Sequence, residues 1–296
     1  MTPSIATSLS ELPEYRQVLA NLIARDLKVK YQSKSLGFAW SLLAPACMIG
    51  ILYIIFSHRA FRIDMPDYWA FLIAGILPFQ FMAEGIVSGA SSIRQSAALI
   101  RKVYLPMEIL VIAAVTVRAI EFVLQMLLAV ALLAIVHHER FGGQFAQMPA
   151  SLVSVLDGPV HFDAFKTLLV LPAAIVLSYL FVLGVAMPLA AWSVIYKDLD
   201  HIVGIAVRVL FYATPVFWAL FLFEGAWWVR WVAVNPVADL IALYRGPMYW
   251  GAWPFNEAVG NGAAATWGVA VAFALGAFVF GYLLFDRSKR ILAEVV

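Results

Sequence analysis

The sequence contains little charge. Asp, Glu, Lys and Arg account for 13% of its 296 residues, about half of their share in average soluble domains, and 64% of the residues are hydrophobic. The mean hydropathy is +0.89. A soluble domain of this length has too small an interior to bury so much apolar side chain, whereas a lipid bilayer accommodates it. The composition therefore excludes an ordinary soluble domain and predicts an all-α integral membrane protein.

Cysteine and nucleotide-binding motifs are also scarce. Cys47 is the only cysteine in the sequence, so an intrachain disulfide is impossible, and its apolar surroundings predict a packing role. The chain lacks a G-x-x-x-x-G-K-[ST] phosphate-binding loop, because Lys34-Ser35 and Lys166-Thr167 have no preceding glycines. No cleavable signal peptide is expected. We expect no cofactor in this chain and, if ATP is used, that a partner ATPase binds ATP and Mg²⁺.

Six apolar runs are long enough to cross about 30 Å of hydrocarbon as helices. With the N-terminus in the cytoplasm, twelve of the 20 Lys and Arg residues fall on that side and six on the other, as the positive-inside rule favours. We therefore expect a multi-pass inner-membrane protein with both termini in the cytoplasm. The runs are Leu36–Phe56, Tyr68–Ser92, Met107–Val136, Thr167–Ile195, His201–Phe223 and Gly262–Phe285.

These spans divide the chain into a cytoplasmic N-terminus (1–35), a six-helix transmembrane domain (36–285) and a cytoplasmic C-terminus (286–296). Within the N-terminus, Leu12–Lys34 carries apolar residues at helical spacing with charges between them. This pattern predicts an amphipathic helix lying along the inner membrane surface. The alternative is an ordinary solvated helix that leads into the first span.

The segment 224–250 is rich in aromatic residues and is interrupted by Asn235-Pro236. Trp and Tyr favour membrane interfaces because their rings tolerate both hydrocarbon and water. We expect two short re-entrant helices that dip into the outer leaflet and form an aromatic gate. Its aromatic residues include Trp227, Trp228, Trp231, Tyr244 and Tyr249.

Charged residues inside the predicted spans are informative, because a charge in hydrocarbon costs at least about 2.5–3.5 kcal/mol on insertion scales. Arg118 and Glu121 are three apart and can meet on one helix surface, which predicts a structural ion pair, with gating or substrate passage as the alternative. Glu84 is expected to face a polar interior. The glycines that follow it, Gly85 and Gly89, form a small-xxx-small pattern that predicts close helix packing. No metal site is expected, and His137-His138-Glu139 is read as a solvated loop.

Several motifs follow one another in a specific order. They are Arg25–Tyr31 (RDLKVKY), Ser35-Leu36-Gly37 with Trp40 and Pro45, Leu99–Pro106 (LIRKVYLP), Tyr196–Asp200 (YKDLD), Thr214-Pro215-Val216, Asn235-Pro236 and Tyr244-Arg245. Their order and spacing, from about residue 15 to 292, resemble those of ABC type 2 polysaccharide-export permeases, which export lipid-linked O-antigen, capsule or teichoic acid. The loop between spans three and four is longer than that family's pattern leads us to expect.

The resemblance implies a homodimer bound to two copies of an ABC ATPase subunit, a polyprenyl- or lipid-linked glycan as substrate, and no nucleic-acid partner. The N-terminal helix and the inner segment 94–106 would couple the chain to the ATPase. Spans one and five would line a channel. The implied coupling residues are Arg25, Asp26, Arg94, Arg101, Lys102 and Tyr104. The candidate channel residues are Tyr53, Phe56, Phe211, Tyr212, Phe217 and Trp218, and facing lipid or a neighbouring helix is the alternative for each.

Two alternatives stay open. One is an ABC type 2 exporter of drugs or small lipids. The other is a membrane-embedded transferase, for which Asp198-Leu199-Asp200 has the spacing of a D-x-D metal motif. By itself, we expect the chain to be no enzyme.

Overall fold

The computed structural model describes residues 15–32, 37–57, 65, 67–100, 105–141, 162–219, 223, 235–254 and 262–295. Within these ranges the regular structure is helical, so the all-α prediction is confirmed. The helices are α1 (Arg16–Tyr31), α2 (Ala39–Ser57), α3 (Tyr68–Gln95), α4 (Ala97–Ile100), α5 (Met107–Phe141), α6 (Ala164–Ile195), α7 (Leu199–Ala213), α8 (Pro236–Arg245, continued by a π-helical turn, Gly246–Trp250) and α9 (Ala263–Val295).

Five of these helices, α2, α3, α5, α6 and α9, are long and apolar enough to cross a membrane. A multi-pass membrane protein is therefore confirmed. The helix in the region of the expected fifth span, α7, is too short to cross a membrane. α7 has 15 residues and a length of about 22 Å, less than the hydrocarbon thickness of about 30 Å.

The expectation of one continuous helix from His201 to Phe223 is wrong. α7 ends at Ala213, and Thr214 is extended, with φ −106° and ψ 140°. Thr214 precedes Pro215, whose ring disfavours helical backbone in the preceding residue. The count of six spanning helices is therefore not confirmed within the described residues.

α3 is the centre of the bundle. The buried share of its span is 78%, against 6% for α2, which packs mainly on α3 and leaves most of its apolar surface uncovered. Glycines set the spacing of α3 against α6, because a Cβ at Gly85 would collide with Val182 and one at Gly89 with Ala186. The predicted packing role of these two glycines is confirmed.

α6 and α9 approach each other through two glycines. The backbones of Gly184 and Gly281 are so close that neither position has room for a Cβ. Small residues let helices pack at backbone distance in a membrane, where dispersion and polar contacts replace the hydrophobic effect as the driving force.

The apolar side of α1 packs against the rest of the protein. Leu22 is buried in a small cluster with Leu105, Ile109, Leu110 and Ala113. Farther along α1, Lys30 contacts Glu121 of α5. Later residues of α1 thus contact later residues of α5, so the two helices run side by side. The apolar side of α1 thus packs on α5, and its expected position along the membrane surface stays a prediction.

The segment from Asn235 to Trp250 also packs into the bundle. Asn235 caps α8 by accepting a hydrogen bond from the Val237 amide at 3.0 Å, and Pro236 occupies the first turn, where its missing amide hydrogen costs nothing. Val237–Arg245 and the first four residues of the π-helical turn are all buried, against α3, α6 and α9. A helix start at Asn235-Pro236 is confirmed. The re-entrant pair is not, because residues 224–234 lie outside the described residues.

Candidate functional site

A groove of about 490 Å³ lies between α2 and the C-terminal end of α7. We call it the aromatic groove. Four rings that were expected to line a channel meet here. Phe217 is the centre, with its ring centroid 5.5 Å from Phe211, 5.7 Å from Phe56 and 6.1 Å from Tyr212. The remaining lining residues are Ala44, Cys47, Met48, Ile51 and Leu52.

The other two expected channel residues lie elsewhere. Tyr53 is 41% exposed on α2 and does not line the groove. Trp218 packs edge-on against Phe223, with ring centroids 5.5 Å apart. Four of the six candidate channel residues thus line one groove and two do not, and their role in a channel stays a prediction.

Next to the groove, the segment that follows α7 forms hydrogen bonds with side chains that are distant in the sequence. We call residues 214–218 the helix break. Arg245 donates a hydrogen bond to the carbonyl oxygen of Val216, and the Tyr68 hydroxyl donates one to that of Phe217. Asn235 Nδ2 donates to the Thr214 hydroxyl at 2.8 Å. Irregular backbone at membrane depth is stable only where the protein satisfies its polar groups, and the bonds from Arg245 and Tyr68 do so for two carbonyls.

Arg245 is almost fully buried at this break. Its guanidinium carbon lies 3.7 Å from the centroid of the Phe71 ring, a cation–π contact that favours the buried charge. Gly75 makes the space for it, because a Cβ there would collide with both the Val216 carbonyl and the guanidinium. Three motif fragments of the sequence, at 214–216, 235–236 and 244–245, thus meet in one place.

The two expected gate aromatics in the described residues belong to the core. Tyr244 and Tyr249 are fully buried, the first 3.0 Å from the Ser178 hydroxyl and the second edge-on to Phe71. Both rings therefore have a packing role within this subunit. The remaining expected gate residues, Trp227, Trp228 and Trp231, lie outside the described residues.

A group of polar side chains joins α1, α3 and α5. We call Lys30, Tyr31, Glu84, Arg118 and Glu121 the charge cluster. The buried carboxylate of Glu121 accepts from Tyr31, lies 2.6 Å from Lys30 Nζ, and lies 3.2 Å from Arg118 Nη1. The predicted Arg118–Glu121 ion pair is confirmed, and it is part of a larger network.

Two further details concern this cluster. Glu84 pairs with Arg118 at 3.0 Å, and 47% of its side chain is exposed in this subunit, so the expectation that it faces a polar interior stays a prediction. Burial, and then the hydrogen bond to Glu121, raise the pKa of Tyr31 to about 12. Tyr31 therefore stays protonated and donates its O–H to the carboxylate.

The cavity beside the charge cluster contains two of the expected coupling residues. It measures about 360 Å³ between α1, α3 and α5, and Arg25 and Asp26 line it together with Lys30 and Arg118. Arg25 and Asp26 form an exposed ion pair at 2.8 Å. Of the other coupling residues, Arg101, Lys102 and Tyr104 lie outside the described residues.

Arg94 connects the end of α3 to the start of α7 and to the segment that precedes it. Its guanidinium pairs with Asp200 and donates to the Lys197 carbonyl at 3.3 Å. Asp198 stands at the N-cap of α7. Because Asp200 is paired, the D-x-D motif does not present two unengaged carboxylates, and no group of three His, Cys, Asp or Glu converges among the described residues.

Three known proteins are similar to this chain. An O-antigen export system permease protein, RfbA, from Myxococcus xanthus is 28% identical over 241 residues, which are 81% of this chain and 83% of the relative. Two RfbA proteins from Klebsiella pneumoniae are 23% identical over 282 residues (94% and 95% of the two chains) and 26% identical over 229 residues (77% and 78%). The resemblance to O-antigen export permeases is confirmed. No family model matches the chain.

Sequence reasoning missed several residues of this permease-like chain. Tyr68 and Arg245 were not expected at the helix break, and Lys30 and Tyr31 were not expected to reach Glu121. A further pair, Lys289 with Glu108, joins α9 to the start of α5. Each of these polar side chains lies within or beside an apolar run of the sequence. A polar group in such a run requires a partner, and this pattern could have identified these residues.

Proposed function

We propose that the chain is the transmembrane subunit of an exporter that moves a lipid-linked polysaccharide across the inner membrane. The similarity to O-antigen export permeases over most of the chain supports the substrate class. The structural observation that carries the proposal is the aromatic groove. Its Phe56, Phe211, Tyr212 and Phe217 rings gather in one groove, between the two segments for which the resemblance implies a channel.

The groove suits a sugar polymer for a physical reason. Sugar rings present apolar C–H faces that pack on aromatic rings, as ring stacking does generally. Apart from the Tyr212 hydroxyl, the lining side chains are apolar or carry a weakly polar sulfur, so few directional hydrogen bonds hold a sugar at one position. Such a surface favours movement of the polymer along the groove over tight binding at one position.

A partner supplies the energy in this proposal. The sequence has no phosphate-binding loop, so two ATPase subunits would bind ATP and Mg²⁺ beneath a homodimer of this chain. Both termini would face the cytoplasm. There, the Arg25–Asp26 pair and the Arg94–Asp200 pair lie on segments suited to contact the ATPase, because each connects directly to a spanning helix.

Cys47 provides the test, because it is the only cysteine of this chain and it lines the groove. The complete complex, reconstituted in nanodiscs, is treated with a membrane-permeant maleimide in the presence and absence of the lipid-linked glycan. We expect the glycan to slow labelling of Cys47, while the lipid without its glycan protects less. Full-rate labelling at saturating glycan would rule out the groove as the cargo path.

ATP dependence is measured separately in inverted vesicles. Removal of the catalytic carboxylate of the partner ATPase should abolish glycan movement while leaving Cys47 protection intact. Export that continues at the same rate would contradict ATP-driven transport.

The apolar wall of the groove, formed by Ala44, Met48, Ile51 and Leu52, favours a second candidate. A small-lipid or drug exporter would use this wall without needing the aromatic side. The size of the cargo distinguishes the two candidate functions. A long glycan should stimulate the partner ATPase of a polysaccharide exporter, whereas a small amphiphile alone should stimulate that of a small-lipid or drug exporter.

A further inference from the structure

One face of α7 carries a polar stripe. His201, Ile205, Arg208 and Tyr212 follow one another at intervals of four, three and four residues, which places them on the same helix surface. All four side chains are exposed in the structure. The stripe runs from the start of α7, beside the Arg94–Asp200 pair, to the aromatic groove, because Tyr212 is one of the groove's lining residues.

Arg208 is the unusual member of this stripe. It lies nine residues into α7, about 14 Å along the helix from Leu199, and its exposed neighbours Ile202, Ile205 and Val209 are apolar. Among the residues that the structure describes, Arg208 forms no hydrogen bond and no ion pair. A guanidinium on such an apolar helix surface is costly to place in a membrane, and charged residues within membrane segments mark substrate or ion pathways.

The charges around Arg208 favour an anion as its partner. The stripe itself contains an arginine, a histidine and a tyrosine, all of which can donate hydrogen bonds, and no carboxylate. The nearest carboxylate along α7, Asp200, already pairs with Arg94. A planar guanidinium binds phosphate oxygens in a bidentate manner, which gives both affinity and orientation.

We propose that Arg208 binds the phosphate group that joins the glycan to its lipid when the cargo reaches the aromatic groove. This inference rests on the proposed function and deepens it. With the phosphate at Arg208, the sugar that follows would lie one helical turn farther along α7, at the ring of Tyr212. The lipid would extend along the apolar surface of α7 and α2. The site thus orients an amphiphile whose charged linker separates its two halves.

Two probes test the proposal by protection of Cys47 from maleimide in the complete complex. One is a prenyl diphosphate-linked monosaccharide, and the other is the prenyl glycoside of the same sugar, without phosphate. In Arg208→Gln, we expect the half-protecting concentration of the diphosphate probe to rise at least about tenfold, the usual scale for a lost charge-assisted hydrogen bond. The neutral probe should be unaffected. Arg208→Lys should show a smaller loss, because it keeps the charge and loses the bidentate geometry.

Arg287→Gln is the matched control, since it removes an exposed arginine from α9, away from the stripe. It should leave both probes unchanged. Equal weakening of both probes by Arg208→Gln, or no change in either, would overturn the proposal. A dimer that dissociates in Arg208→Gln would show that a second copy of the chain is the partner of Arg208, and would overturn it too.

A lipid headgroup is the remaining source of phosphate. The measurement is therefore made in nanodiscs of phosphatidylcholine with and without phosphatidylglycerol. The proposal requires the Arg208→Gln effect in both lipids, and an effect confined to phosphatidylglycerol contradicts it. If neither probe protects Cys47 in the unchanged chain, the groove assignment in the proposed function fails instead, and the two failures are thereby distinguished.

Discussion

Arg245 donates a hydrogen bond to the backbone carbonyl of Val216, 29 residues earlier in the chain, where α7 has ended and no helical amide is in place to bond that oxygen. Phe71 covers the guanidinium and Gly75 leaves room for it. A buried arginine therefore stabilises a helix break that borders the aromatic groove. Loss of this contact should affect both stability and the shape of the groove.

Replacement of Arg245 by Leu should destabilise the protein by about 1–3 kcal/mol, because the Val216 carbonyl is then buried without its donor. The measurement is thermal unfolding in detergent. Arg287→Leu, at an exposed position, is the control and should leave the midpoint unchanged. Equal midpoints for Arg245→Leu and the unchanged chain would show that water satisfies the carbonyl.

Gly281 and Gly276 offer a matched pair on α9. Gly281→Ala should lower stability by about 1–3 kcal/mol, since its Cβ would collide with the backbone of Gly184 and force the helices apart. Gly276 has nothing within 4 Å of its Cβ position, so Gly276→Ala should be neutral or raise stability by up to about 1 kcal/mol. Thermal unfolding in one detergent compares the two, and similar losses in both would contradict the packing assigned to Gly281.

Glu121→Gln should loosen α1 from the bundle. It removes the buried charge that Lys30 and Arg118 both face, and a broken buried pair typically costs about 3–5 kcal/mol. We expect faster tryptic cleavage after Lys28 and Lys30, measured on the folded protein. Glu84→Gln is the contrast: its carboxylate is 47% exposed, so an effect of about 0–1 kcal/mol and little change in cleavage are expected.

Asp163 makes one contribution to stability depend on pH. It caps α6 by accepting from the Lys166 amide at 2.9 Å, and that bond, together with the Lys166 ammonium, holds the pKa of the carboxyl below its ordinary 3.8. Because the folded pKa is the lower one, the contribution is present above 3.8 and is lost as the pH falls through the folded value. Asp163→Ala should cost about 1 kcal/mol at pH 7.

The same difference between Asp163→Ala and the unchanged chain should shrink when unfolding is measured near pH 3. Asp163→Asn keeps a capping oxygen and removes the ionisation, so its stability relative to the unchanged chain should reveal the charge alone. A difference that stays constant between pH 7 and pH 3 would contradict the cap.

Phe217→Ala should weaken cargo protection of Cys47, because Phe217 contacts three other rings of the groove. Loss of stacking worth about 1 kcal/mol or more predicts a fivefold to tenfold increase in the half-protecting glycan concentration. Phe280→Ala on α9 removes an equally large ring that is 65% exposed and is the control. Equal effects of both variants would point to general loosening of the bundle.

The sequence by itself determined that the protein lies in a membrane and which residues close together in the chain interact. Its low charge and long apolar runs required a membrane, as the five spanning helices confirm. Asn235-Pro236 signalled a helix start, and Arg118 with Glu121 signalled an ion pair, because in each case the interacting groups lie within one helical turn. The Gly85 and Gly89 spacing likewise specified a close helix contact, since a single helix face carries it.

The tertiary structure alone decided which distant groups meet. Lys30 and Glu121 are 91 residues apart, and Arg245 finds its carbonyl only because α8 packs against α3 beside the break. The sequence suggested a full fifth span, but its apolar composition could not reveal that the helix ends at Ala213, before Pro215, and that buried donors make this end stable. Local spacing specifies which side chains share a face, whereas packing of whole helices specifies what each face meets.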